Sequence, residues 1–197
     1  MGNTTSTFTG IPKWYSNATD RDYTRLRIEK QEAKDAYIVE RMLQDNVKNN
    51  KTVSSFTTQP TQMGTHYDLT STFIANGKVI RCAYEIKERN KSDWDVINNP
   101  YSELKDQKVK AILNCTRSYN GVFYISIVNG KTAYMWNLKQ IDWDKQDSFI
   151  WHIKKTQFSR STEMEDALTY KLYWKDAVLT VDITKYLEEY NALQNRI

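Results

Sequence analysis

This sequence has few of the residues that build metal clusters, disulfide frameworks or membrane spans. Its two cysteines, Cys82 and Cys115, cannot staple a small fold, and neither has a Cys or His neighbour at zinc-ligand spacing. Both are expected as reduced structural thiols. Histidine is equally scarce: His66 and His152 stand far apart, and a lone imidazole is more often structural or exposed than a ligand, so neither is assigned a role. The longest apolar runs are only a few residues and the N-terminus is Ser/Thr-rich, which argues against a signal peptide or a membrane span and leads to a cytoplasmic expectation. Neither sign of charge dominates. Twenty-eight basic against 24 acidic residues leave a formal net charge of +4, so any basic face must be local, and nucleic-acid binding is permitted without being required.

Repeats, low-complexity tracts and long linkers are also missing. A chain of 197 residues, 40% hydrophobic, is long enough to bury one substantial core. The expected organisation is a polar N-terminal arm at 1–19 and a single domain at 20–197, with a core at about 20–138 and a C-terminal elaboration at about 139–197. Met1-Gly2-Asn3-Thr4-Thr5-Ser6 has the form of an acylation signal, but one acyl chain gives marginal membrane binding, and the segment is read as a polar arm. Six Trp and 13 Tyr supply either stacking surfaces or a heavily aromatic core, and core is the reading for most of them, Tyr134 and Trp136 included.

The periodicities predict a long helix over 20–46, a strand over 52–58, and two strands over 67–74 and 78–87 joined by Ala75-Asn76-Gly77. Asn-Gly supplies the positive φ angles of a tight hairpin. Beyond Pro100 an amphipathic helix is expected over 101–116, with Leu104, Lys108, Ala111, Ile112 and Cys115 on one face. A second hairpin follows over 121–128 and 132–138 across Asn129-Gly130. Its first strand is apolar almost throughout, as a strand covered on both faces should be. Short strands are expected at 149–153, 170–174 and 178–183, then a helix from Thr184. Lys154-Lys155-Thr156-Gln157-Phe158-Ser159-Arg160 mixes basic and aromatic residues, as a nucleic-acid groove or an exposed loop does.

The chemistry concentrates on the first hairpin. A side-chain period of two puts Arg81, Ala83, Glu85 and Lys87 on one strand face, and the hairpin brings Asp68 level with them. Two carboxylates can hold a hard divalent cation that polarises a phosphoryl oxygen and acidifies a water. An ammonium beside them can orient that water or offset the charge that grows in the transition state. The pattern points to phosphodiester hydrolysis.

Asp68, sixteen intervening residues (69–84), then Glu85-Ile86-Lys87 resembles the motif of the PD-(D/E)XK nuclease superfamily. Tyr67 stands where the name-giving proline would be. The resemblance extends from the first helix to Val128 and implies an α/β fold with an αβββαβ core: a mixed central sheet flanked by helices, here with an extra hairpin and a C-terminal β/α elaboration. It implies a Mg²⁺-dependent deoxyribonuclease with Mn²⁺ as a substitute metal, Asp68 and Glu85 as metal ligands and Lys87 as the catalytic lysine. A first-helix glutamate often joins such sites, and Glu40 is the candidate, with Glu29 as the alternative. Lys108 in the second helix is the candidate phosphate contact, with Lys105 and Gln107 behind it, and Arg89 is a further one. DNA is the expected partner, no membrane is expected, and homodimers are frequent in the family. By analogy the expected role is a structure-selective or accessory nuclease of phage or mobile-element replication and repair. The competing expectation is a non-catalytic nucleic-acid-binding or assembly protein on the same fold.

Overall fold

The computed structural model describes residues 20–48, 50–61, 66–154 and 164–195, without the side chains of 20–30, 152–154 and 164–165. The expected arm at 1–19 and residues 155–160 of the basic-aromatic segment lie outside the described residues, as do the side chains of Glu29 and His152. Helix α1 (Asp20–Lys48) leads into strand β1 (Val53–Pro60) and then the hairpin of β2 (Leu69–Ala75) and β3 (Lys78–Arg89). Asn76 and Gly77 take φ angles of 50° and 74°, the left-handed values that its two-residue turn requires. A short helix α2 (Asp93–Asn98), strand β4 (Tyr101–Lys105) and helix α3 (Asp106–Cys115) carry the chain across to β5 (Gly121–Val128), which lies parallel to β3. The second Asn-Gly turn, with φ of 53° and 63°, joins β5 to β6 (Thr132–Asn137). Strands β7 (Ser148–Lys154), β8 (Met164–Tyr173) and β9 (Leu179–Asp182) precede helix α4 (Thr184–Gln194).

Six strands form the central sheet in the order β1-β2-β3-β5-β6-β9, with β3 and β5 its one parallel pair among the described residues. Helices α1 and α4 cover one face. There Ile38, Val39 and Met42 of α1 pack on Tyr84 and Ile86 of β3 and on Ile125 and Ile127 of β5. Helix α3 covers the other face through Val109 and Ile112, beside Val122, Tyr124 and Trp136. The fold is therefore a mixed α/β arrangement with a central mixed sheet flanked by helices, as expected. Burial of each large aliphatic side chain contributes roughly 1.5–3 kcal/mol, and these two layers hold the sheet edges around the site in place.

One difference from the expectations matters. Residues 101–105 form a strand and not the first turn of a helix, because β4 pairs with β8 in a separate three-stranded sheet, β4-β8-β7. Alternation then buries Ser102 and Leu104 against the second core, and the helix starts only at Asp106. On α1 the most deeply buried positions are Ile38, Val39 and Met42, whereas Tyr37 is only partly buried, its ring 5.4 Å from that of Tyr190 on α4. No helix among the described residues is long and apolar enough to cross a membrane.

Candidate active site

Strand β3 presents two chemically opposite faces. Cys82, Tyr84 and Ile86 enter the core under α1, while Ala83, Glu85, Lys87 and Arg89 point towards α3 by alternation. The last register pair of the hairpin is Leu69 with Tyr84, and one step beyond it the Asp68 backbone N–H donates to the Tyr84 carbonyl at 2.8 Å. This places Asp68 beside Glu85. The Ile86 backbone N–H donates to Asp68 Oδ2 at 2.6 Å, which orients the carboxylate at the point where β2 begins.

Glu85 is 1% exposed. Its Oε1 lies 3.0 Å from Lys87 Nζ and 2.9 Å from Lys108 Nζ, so both lysines converge on one oxygen. Glu85 Oε2 has no hydrogen-bond partner among the described residues. Burial pushes the Glu85 carboxyl up from its usual range, Asp68 pushes it further, and the two lysines pull against them. For Lys87 burial works against the charge, but Glu85 and Asp68 outweigh it and hold the ammonium above its usual value. The Lys87 side chain is 45% exposed and therefore lies at the mouth of the site.

Lys108 reaches Glu85 from the first turn of α3, so Asp68, Glu85, Lys87 and Lys108 come together at one end of the sheet. Lys105 and Gln107 are exposed. Arg89 is turned elsewhere: its Nη2 donates to the Glu103 carbonyl and to Tyr124 Oη, each at 3.1 Å. Its Nε, like the hydroxyl of fully buried Ser126, has no hydrogen-bond partner. Ser126 pairs in register with Lys87, and Tyr124 with Glu85, so the unpaired polar atoms share one face of the parallel strands.

Glu40 does not join this group. It accepts from Gln44 Nε2 at 3.0 Å, and its turn of α1 faces away from Ile38 by about 200° at 3.6 residues per turn. The stripe of Ile38 and Met42 continues instead through Gln31, Lys34 and Asp35. Gln31 donates to both Asp35 and Glu88, and Lys34 Nζ pairs with Glu88 at 3.3 Å. Asp35 titrates at about 6 because burial disfavours its charge; Gln31 offsets this in part, Glu88 and Asp68 add to it, and Lys34 opposes it. The α1 carboxylate that senses Asp68 is thus Asp35, and a carboxylate three and four residues before buried Ile38 and Val39 was the available sequence signal. His66 is exposed, and Trp136 is buried with its Nε1 donating to the Tyr173 carbonyl at 3.0 Å, a core role.

Among the described residues no group of three or more His, Cys, Asp or Glu side chains is arranged to hold a metal. Two adjacent carboxylates, one of them buried with an oxygen that has no partner, nevertheless fit a hard cation that keeps its remaining positions for water and phosphate. No family model matches the chain. No curated protein matches it. Among solved structures, the 1.6 Å structure of Archaeoglobus fulgidus Hjc, a Holliday junction resolvase from an archaeal hyperthermophile, is similar with 13% identity and a TM-score of 0.36, over 66% of this chain and 87% of that one. A likeness this distant leaves the functional reading to the side chains.

Proposed function

We propose that this protein is a metal-dependent nuclease that hydrolyses phosphodiester bonds in DNA, with Asp68 and Glu85 holding Mg²⁺, or Mn²⁺ in its place. The observation that supports it most is the state of Glu85. A buried ion pair offsets its desolvation only when further partners satisfy the lone pairs that the pairing leaves over. Glu85 has two cations crowded on Oε1 while its buried Oε2 has no partner. A divalent cation between Glu85 and Asp68 supplies the missing partner, and its Lewis acidity withdraws charge from a phosphoryl oxygen and acidifies water.

The chain's own groups divide the remaining work. Asp68 is held by the Ile86 N–H and needs little rearrangement to bind. Lys87 stays cationic at neutral pH and stands at the mouth, where it can donate a hydrogen bond to a water or to the phosphate oxygens as they gain charge. Lys108, on the opposite wall, binds the phosphate and sets its position. Asp35 takes the first-helix place that the sequence suggested for Glu40, close enough to Asp68 for their charges to interact. The preference for DNA, and for a structure-selective accessory role, rests on the motif resemblance.

Supercoiled, linear and branched DNA incubated with the protein, with and without Mg²⁺ or Mn²⁺, tests the reading. Cleavage is expected only with metal and is lost in Glu85→Ala and Lys87→Ala. Absence of any metal-dependent cleavage, or cleavage unchanged in both variants, removes the enzyme and leaves a non-catalytic nucleic-acid-binding protein.

A further inference from the structure

The outward face of the second sheet carries a continuous ladder of rings and ammonium groups. Alternation turns Ser102, Leu104, Tyr170 and Leu172 inwards and puts Tyr101, Lys171 and Tyr173 on the opposite side of the sheet. On that outer side the Trp151 ring lies 5.5 Å from Phe149, and Lys171 Nζ sits 5.7 Å from the Phe149 ring and 5.4 Å from the Tyr101 ring. Tyr101 meets Tyr173 at 5.7 Å, and Lys175 Nζ closes the row 5.8 Å from Tyr173. Each step from Trp151 to Lys175 is a direct contact. Trp151 is 44% exposed, and Phe149, Tyr101, Lys171 and Tyr173 are partly exposed, while Thr169 between Phe149 and Lys105 is buried.

We propose that this face binds single-stranded nucleic acid, with bases stacking on Trp151 and Phe149 and phosphates on Lys171 and Lys175. Rings alone would fit any apolar partner, and lysines alone any anion. Their alternation along one sheet face matches a strand whose bases and phosphates alternate in the same way. A duplex fits less well, because its paired bases offer no free faces to stack. The face also carries Glu103 and Asp147, the latter 3.3 Å from Lys171 and bonded to the Tyr173 hydroxyl at 2.5 Å, so a phosphate competes with Asp147 for Lys171. Lys105, exposed at the end of β4, adds a third cation three residues before Lys108. The platform and the candidate active site are therefore consecutive along the chain, joined where β4 runs into α3.

The proposal rests on the preceding section only in taking nucleic acid as the partner, and it is tested without cleavage. Fluorescence anisotropy of labelled oligo(dT) and oligo(rU) with the full chain in EDTA should show binding that weakens with salt. Either oligomer binding supports the platform, and the preferred one identifies the sugar. Trp151→Ala should weaken binding by about tenfold, the scale of one lost stacked base. Lys175→Gln, at an exposed position, should lower the salt slope by about 0.7, the value for one phosphate contact with a single strand. The idea is overturned by no binding of either oligomer, by binding undiminished in both variants, or by a Trp151→Ala effect confined to self-association in sedimentation. Loss of oligomer binding with metal-dependent duplex cleavage intact sinks the platform alone; the reverse result sinks the nuclease alone.

Discussion

The two faces of β3 have the same backbone and opposite polar accounts. Under α1, Tyr84 and Ile86 are buried among aliphatic side chains, and the Tyr84 hydroxyl meets Ser71 Oγ at 2.9 Å, so this face hides almost nothing unpaired. Towards α3, Glu85 Oε2, Arg89 Nε and the neighbouring Ser126 hydroxyl are buried without hydrogen-bond partners. Each such atom costs about 1–3 kcal/mol when nothing binds it. One face therefore supplies stability, and the other gives some of it up to keep ligand-ready groups in place. That asymmetry lies within a strand of 12 residues and marks the candidate site.

Breaking the polar face should affect chemistry first. Glu85→Gln is expected to lower metal-dependent DNA cleavage by about 10²–10³-fold or more, the scale of losing one preorganised electrostatic group, while circular dichroism stays native. Breaking the apolar face should do the opposite. Ile38→Ala, at a position 1% exposed, should cost about 2–5 kcal/mol in urea unfolding and leave cleavage per folded molecule close to normal.

Asp35 sharpens the comparison because it sits where the apolar stripe of α1 turns polar. Its folded carboxyl titrates at about 6 against an ordinary 3.8, so the folded state holds the proton longer. The associated stability is complete below about 3.8 and lost as pH rises through 6, which leaves the metal-free protein roughly 3 kcal/mol less stable at pH 7. Asp35→Asn should raise the melting temperature at pH 7 in EDTA and change it little near pH 4; an equal gain at both pH values would show that burial of its charge is not the cause. Glu40→Gln is the smallest effect expected, with cleavage within twofold of the parent, and a large loss there would return the first-helix role to Glu40.

Much of the site was legible in local sequence because its signals are local. Asn-Gly turns encode their own positive φ angles, and the alternation of a strand puts Glu85 and Lys87 side by side whatever surrounds them. Lys108 was legible by helical spacing from Ile112, even though the helix begins later than expected. The first-helix carboxylate was not legible. Its choice depends on where the helix lies against the sheet: α1 ends next to the start of β1, and β1 runs back about 23 Å at 3.3 Å per residue, equivalent to about 15 helical residues. That brings residues near 33, and not 40, level with Asp68.

The sequence by itself determined the hairpin, the paired side chains of Glu85 and Lys87, and the apolar strand that follows them in the sheet, because each depends on contacts within a few residues. Tertiary structure alone decided that 101–105 extend to pair with β8, across more than sixty residues of chain, and that Glu85 becomes buried beneath Lys87 and Lys108. Those outcomes arise from the packing of distant segments, where burial and long-range pairing override local preference.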